Sequence, residues 1–210
     1  MAKSSFAGAG SARAVQTGRL VALRYPTPRD RTALMRLRIA SREHLERWEP
    51  KPEHGFDPWG EAFFDNVLKT RRTDTRERLL VCLVESGEIA GMLSLSNIVR
   101  GPLQSCFLGY WIGVGFTGRG CMTEAVGLAV RHAFITLGLH RVEANIQSHN
   151  EASRAVVRKN GFRLEGYSPR YLQIAGRWAD HERWAITAEE TGSNRVSASG
   201  RSRVRSRPST

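Results

Sequence analysis

The chain of 210 residues is long enough for one domain of common size, and its 40% hydrophobic and 25% charged residues are typical of a soluble globular protein. It has no run of eighteen apolar residues and no apolar stretch near its start, so we expect neither a membrane span nor a secretory signal. The three cysteines are scattered and lack zinc-ligand spacing. They argue against a disulfide framework and predict a cytoplasmic protein without a bound metal.

The two ends of the chain differ in composition from the middle. Residues 1–18 are rich in Ala, Ser and Gly without periodicity, which predicts a mobile tail. Residues 191–210 contain five arginines and no acid, and we expect this Ser/Arg-rich segment to be disordered, either as a solvated tail or in contact with RNA. The net charge of +12 attracts polyanions in general, including a phosphorylated cofactor. The folded domain is therefore expected at 19–190.

Between the tails, the spacing of apolar residues predicts a mixture of helices and strands. Pro28 suits the first turn of a helix, where its missing N–H costs nothing, and Gly161 suits a left-handed helix end. In chain order, the prediction is a strand at 19–25, a helix from Pro28 toward Trp48, a helix at 58–70, a hairpin of strands 79–85 and 88–97, a strand at 106–114, a helix at 119–137, a strand at 140–146, a helix at 151–159, and two strands at 162–174 and 177–188 that turn at Ala175–Gly176.

A cluster of glycines lies where the strand 106–114 meets the next helix. Gly113, Gly115, Gly118 and Gly120 allow backbone N–H groups to turn toward one point, and the helix start adds unpaired amides and the positive end of its dipole. Such an arrangement binds a pyrophosphate, and Arg119 adds a full charge. The run contains neither the Walker A pattern nor the Rossmann fingerprint.

Several motifs resemble the GNAT superfamily of N-acetyltransferases. Gly118-Arg119-Gly120 resembles its pyrophosphate-binding element, and Asn150-x-x-Ser153 followed by Asn160-Gly161-Phe162 resembles its second cofactor motif. Leu108-Gly109-Tyr110, Met122-x-Glu124-Ala125 and Tyr171-Leu172 through Asp180-His181 are similar to the RimJ/RimL ribosomal-protein N-terminal acetyltransferases, the RimJ branch above all. The resemblance covers 19–190. It implies an α/β (α+β mixed) GNAT fold, in which helices flank a mixed sheet. The sheet splays between the strand ending at Val114 and the strand 140–146. The resemblance also implies acetyl-CoA as co-substrate.

The resemblance also implies roles for individual residues. Ser153 is the candidate proton donor to the CoA sulfur, with Tyr171 as the rival acid. Each residue also has a plain structural interpretation: Ser153 and Asn150 suit a helix start, Tyr171 suits a hairpin, and Asp180 with His181 suits a strand end. The implied acceptor-binding residues are Trp48, Tyr110, Asp180 and His181, and the implied cofactor-binding residues are Ile112, Val114, Thr117, Gly118, Arg119, Gly120, Met122, Thr123, Asn150 and Ser153.

The strand 106–114 contains no acid to serve as a general base. An α-amine has a pKa near 7.7–8.0, against about 10.4 for lysine, so an enzyme without a strong base is better matched to protein N-termini. Glu143 is expected to form a structural ion pair with Arg141. The predicted acceptor is therefore a protein N-terminus, and the resemblance implies a ribosomal protein. The alternative functions are acetylation of a small amine such as an antibiotic or polyamine, or a non-catalytic role as an RNA-associated protein of the same fold.

Overall fold

A nine-stranded sheet with helices on both faces forms the part of the chain that the computed structural model describes, residues 13–50, 52 and 55–191. Apart from short 3-10 and π turns, the helices are α1 (Arg31–Ala40), α2 (Arg42–Leu45), α3 (Glu61–Lys69), α4 (Cys121–Arg131) and α5 (Glu151–Lys159). The strands are β1 (Gln16–Thr17), β2 (Val21–Arg24), β3 (Arg72–Thr73), β4 (Arg76–Leu83), β5 (Ile89–Val99), β6 (Ser105–Ile112), β7 (Arg141–Gln147), β8 (Arg163–Ile174) and β9 (Arg177–Thr187).

The sheet is antiparallel except at its centre. Its order is β1-β2-β4-β5-β6-β7-β9-β8, with β3 paired to β4, and β6 runs parallel to β7. The parallel pairing is confined to residues 105–107 of β6 and 141–143 of β7. Beyond that point the two strands separate, so the predicted mixed and splayed sheet is confirmed.

Alternating apolar residues of the central strands supply two cores. Leu79 and Val81 of β4 face α4, whereas Leu80 and Cys82 face α1 and α3. Because both faces of the strand are covered there, β4 is continuously apolar from Leu79 to Leu83, after three charged residues at its start. No helix among the described residues is long and apolar enough to cross a membrane.

Local sequence signals set several element ends as predicted. The Asn150 side chain accepts a hydrogen bond from the Ser153 N–H at 3.1 Å, which caps the start of α5. Gly161, with φ of +80°, follows the end of this helix. Ala175 and Gly176 both have positive φ, as a two-residue hairpin turn of this kind requires.

The prediction that 1–18 is a tail is wrong for its last residues. β1 pairs with β2, and Val15 packs against the core. The pairing joins Gln16 to Leu23 and Thr17 to Ala22, and a strand of two residues is too short to show an alternating pattern in the sequence. Residues 1–12 and 192–210, on which the rest of the tail predictions fall, lie outside the described residues.

The first predicted helix is interrupted at Ser41. α1 ends there with a φ of −105°, and α2 with a following 3-10 turn (Glu46–Trp48) completes the segment. The Ser41 side chain explains the break, since its hydroxyl accepts a hydrogen bond from the Val114 N–H at 3.1 Å. The interruption therefore attaches this helical segment to the end of β6.

Candidate active site

A cleft of about 1360 Å³ passes through the opening between β6 and β7. Because β7 pairs with only the first three residues of β6, the β7-facing edge of β6 is left without strand partners from Leu108 onward. Free N–H and C=O groups on a strand edge pair readily with an extended ligand. Residues of α4, α5 and the glycine loop line one end of the cleft. The other end, which we call the α1–α3 end, is lined by Arg38, Trp48, Phe63, Asn66, Arg78 and Ser94.

The glycine loop presents the start of α4 to the cleft. Gly118 and Gly120 have φ values of +73° and +79°, a conformation that glycine adopts without strain. Gly120 is the residue before α4, and no side chain of the described part of the chain caps this helix. Its first N–H groups are therefore free for a ligand, and together with the helix dipole they suit a pyrophosphate. The loop thus fits the phosphates of acetyl-CoA.

Glu124 anchors the helix that follows the loop. Its carboxylate accepts hydrogen bonds from the backbone N–H groups of Arg19, Leu20 and Val21 at 2.6–2.8 Å. Three N–H donors on one carboxylate hold the segment before β2 against the first turn of α4. Sequence reasoning missed this contact, although Met122-x-Glu124-Ala125 was a recognised motif, because the partners are more than one hundred residues away.

Tyr110 and Ser153 meet across the opening of the sheet. The Tyr110 hydroxyl lies 2.7 Å from Ser153 Oγ and donates to the Ser153 carbonyl at 3.2 Å. Burial raises the pKa of Tyr110 to about 12, although the hydrogen bond with Ser153 opposes the shift. The phenol therefore keeps its proton at neutral pH. A protonated phenol bonded to a hydroxyl is a plausible proton source for a leaving thiolate.

The structure brings most of the predicted cofactor residues together. Val114 and Arg119 lie outside the set of residues that line the cleft: the Val114 N–H is bonded to Ser41, and the Arg119 guanidinium lies 5.7 Å from the Phe116 ring centroid. The members of the predicted cofactor and acceptor sets that do line it are Trp48, Tyr110, Ile112, Thr117, Gly118, Gly120, Met122, Thr123, Asn150 and Ser153.

Three predicted residues lie in the β8–β9 hairpin, outside that lining. Asp180 accepts hydrogen bonds from the Tyr167 hydroxyl and, at 2.7 Å, from the Arg170 N–H, and these bonds lower the pKa of its carboxyl. His181 is buried, which lowers the pKa of its imidazole, and its ring packs edge-on against Tyr171. Each side chain has a partner within the hairpin, in line with the structural interpretation. Their roles in catalysis and amine binding stay predictions.

The α1–α3 end is built around a buried ion pair. The Arg38 guanidinium donates to both carboxylate oxygens of Glu49 at 2.7 and 2.9 Å. It also stacks on Phe63 and Trp59, with 4.0 and 4.5 Å to the ring centroids. This pair fixes the segment that carries Trp48, whose ring lies 5.2 Å from that of His149.

Among the described residues, the cleft has no carboxylate that is free to act as a base. Glu49 is the one acidic side chain among the described residues that line it, and both of its oxygens are bonded to Arg38. Glu143 is paired with Arg141 at 2.9 Å, as predicted. Within the described part of the chain, no three His, Cys, Asp or Glu side chains form a group that would hold a metal ion.

Comparison with known proteins agrees with this geometry. A family model described as an acetyltransferase (GNAT) domain matches residues 20–163. The chain is 33% identical to the ribosomal protein uS5-alanine N-acetyltransferase of Escherichia coli (strain K12), over 83% of this chain and 90% of that protein.

Two solved structures extend the likeness. One is Mycobacterium smegmatis RimJ in complex with CoA-disulfide, at 36% identity and a TM-score of 0.75, covering 86% of this chain and 90% of that one. The other is the ribosomal-protein-S5-alanine acetyltransferase from Vibrio fischeri, at 28% identity and a TM-score of 0.73, covering 81% and 94%. The region that the family model matches contains the glycine loop, the opening of the sheet and α5. The chain belongs to the GNAT family of acetyltransferases, and acetyl-CoA is its acyl donor.

Proposed function

We propose that this acetyltransferase modifies the N-terminal α-amine of a protein, and that the acceptor is a ribosomal protein. The observation that carries the proposal is the lack of a free carboxylate among the described residues of the cleft, where Glu49 is held by Arg38. At pH 7 roughly a tenth or more of α-amines are neutral, against less than about a thousandth of lysine side chains. An acceptor that is already neutral needs no strong base.

The charge of the cleft supports a peptide acceptor over a polyamine. The basic side chains that line it include Arg47, Arg78 and Lys159, and no unpaired acid balances them among the described lining residues. A site for spermidine or an aminoglycoside needs carboxylates to match several cationic amines. Similarity to two uS5-alanine acetyltransferases supports a ribosomal acceptor.

The residues of the chain divide into binding and proton-transfer roles. When bound, acetyl-CoA supplies an activated acetyl thioester. The start of α4 holds the anionic end of the cofactor, and the unpaired edge of β6 holds its extended part. The Tyr110–Ser153 pair stands at the sheet opening as the proton source, with Tyr171 as the second candidate. Positioning of the amine against the thioester supplies the remaining acceleration.

The proposal includes a cytoplasmic location and a role for the C-terminal arginines. All three cysteines are buried and unpaired, which suits a reducing compartment. We expect the arginines of residues 191–210 to aid docking on RNA-rich substrate, since phosphate contacts release counterions. A chain truncated at Thr191 should then keep its rate on short peptides and lose rate on ribosomal particles at low salt. Loss of peptide activity would contradict a docking role.

Initial rates with three acceptors test the proposal as a whole. The first is a peptide with a free N-terminal alanine. The second is a peptide that is acetylated at its N-terminus and carries one lysine. The third is spermidine. We expect CoA release with the first acceptor and background rates with the other two. Equal rates on the two peptides would contradict the inference that an enzyme without a free carboxylate is restricted to α-amines. A higher rate with spermidine would favour the small-amine alternative.

A further inference from the structure

Arg78 lies on the face of the sheet that carries the α1–α3 end of the cleft. Its register partner on β5 is Ser94, and Ser94 is opposite Gly109 of β6. Residues in register on adjacent strands share one face. The neighbouring Leu80 packs with α1 and α3 on this same face, opposite the face that α4 covers. Arg78 and Ser94 both line the cleft, and so does Asn66 of α3.

Arg78 is partly buried, and its contacts differ from those of the two buried arginines, Arg24 and Arg38. Arg24 makes a two-pronged ion pair with Asp30, and Arg38 makes one with Glu49. No hydrogen bond or ion pair joins the Arg78 side chain to any of the described residues. Burial, together with the nearby charge of Arg76, lowers the pKa of Arg78 to about 10, so the guanidinium is still charged at neutral pH.

A half-buried cation without a partner raises the free energy of the protein, because it has lost part of its hydration. A bound anion offsets that cost. The cofactor phosphates are not that anion, because the free amides of α4 that suit them lie across the sheet from Arg78. The acceptor is the remaining molecule that occupies this end of the cleft. A guanidinium matches a carboxylate with two parallel hydrogen bonds, and an aspartate or glutamate side chain supplies one.

We propose that Arg78 is a specificity residue that binds a carboxylate of the acceptor, so that the enzyme prefers protein N-termini with an acidic residue within the first few positions. This inference rests on the proposed function and narrows its substrate class. Ser94, in register with Arg78, and Asn66 of α3 also line the cleft and offer neutral hydrogen-bonding groups to the same carboxylate or to the peptide backbone. A lysine at the recognised position would instead place two cations together.

Matched acceptors test this assignment. In a series of peptides that begin with alanine, a glutamate is placed in turn at positions 2 to 6. Each peptide is compared with its glutamine twin, which has glutamine at the same position. A small amine that bears a carboxylate is compared in the same way with one that bears a carboxamide. We expect the best glutamate acceptor to exceed its glutamine twin about 10- to 100-fold in kcat/KM, the range that a charged hydrogen bond supports. Arg78→Gln should bring this ratio to about one without changing acetyl-CoA affinity, and Arg78→Glu should favour a lysine acceptor.

Arg76→Gln is the control, since Arg76 lies two residues away on the same strand face, carries the same charge and does not line the cleft. It should keep the glutamate preference. Equal rates for glutamate and glutamine acceptors of both kinds, or a preference that survives Arg78→Gln, would overturn the assignment. Small amines that react faster than peptides while Arg78 still selects the carboxylate would overturn the proposed acceptor class and uphold the role of Arg78.

Discussion

Removal of the Tyr110 hydroxyl is the sharpest perturbation of the proposed proton source. Tyr110→Phe deletes the oxygen that lies 2.7 Å from Ser153 Oγ and keeps the ring that packs against the core. The loss in folding stability should be about 1 kcal/mol, the net worth of one hydrogen bond. The loss of proton donation should lower kcat by about 10²–10⁴-fold. The effect on rate therefore exceeds any effect that partial unfolding explains.

The assay combines single-turnover rates on an alanine peptide with the acetyl-CoA dissociation constant from calorimetry. Ser153→Ala should lower the rate as well, and the double variant should be no slower than the slower single variant, because two groups that act as a unit are not additive. Tyr171→Phe tests the rival candidate with the same chemical change on a tyrosine outside the cleft lining, and we expect it to leave the rate unchanged. Normal turnover in Tyr110→Phe with a large loss in Tyr171→Phe would transfer the role to Tyr171.

The pH profile gives an independent check on the same reasoning. Tyr110 must be protonated to donate, and with a pKa of about 12 it stays protonated across the working range. The amine must be neutral, so kcat/KM should rise through the α-amine pKa near 7.7–8.0 and then stay level to about pH 10. A falling limb between pH 8 and 10 would contradict a phenol with this pKa as the donor.

Three further changes test the loop and the fold. Glu124→Gln removes the charge that accepts three backbone N–H groups and should lower the urea-derived free energy of unfolding by about 1–3 kcal/mol. Gly120→Val should weaken acetyl-CoA binding in calorimetry by about tenfold or more, because a β-branched residue strains a φ of +79°, whereas Gly87→Val, at φ +75° in a remote turn, should not. Burial alone raises the pKa of Asp30, but its hydrogen bonds, above all from Arg24, hold it below the ordinary value. The contribution of ionised Asp30 to the free energy of unfolding is present above about pH 4 and is lost as the pH falls. When the pH is lowered below about 4, the Asp30→Asn variant should therefore lose less free energy of unfolding than the unchanged protein does.

Features of the fold that depend on neighbouring residues could be predicted from the sequence. The bounds of α5 follow from Asn150 as its cap and Gly161 at its end, and the β8–β9 turn follows from Ala175–Gly176. The splayed sheet followed from the family resemblance, because no local pattern distinguishes a paired strand edge from an unpaired one.

Contacts between remote residues could not be predicted. Glu124 bonds to the segment before β2 from more than one hundred residues away, and no pattern in the sequence indicates that pair. The partners of Arg38 and the isolation of Arg78 appear only once strand register and loop positions are known. The sequence does not show which arginines have a carboxylate partner. That partner distinguishes an arginine that stabilises the fold from one that is available to bind a ligand.

The choice between an α-amine and a lysine acceptor can be measured on one peptide that carries both a free N-terminal alanine and an internal lysine. After incubation with enzyme and acetyl-CoA, fragmentation in a mass spectrometer locates the acetyl group on one amine or the other. We expect acetylation of the alanine α-amine and an unmodified lysine at pH 7, where a larger fraction of the α-amine than of the lysine side chain is neutral. Acetyl groups on the lysine side chain at a comparable level would contradict it.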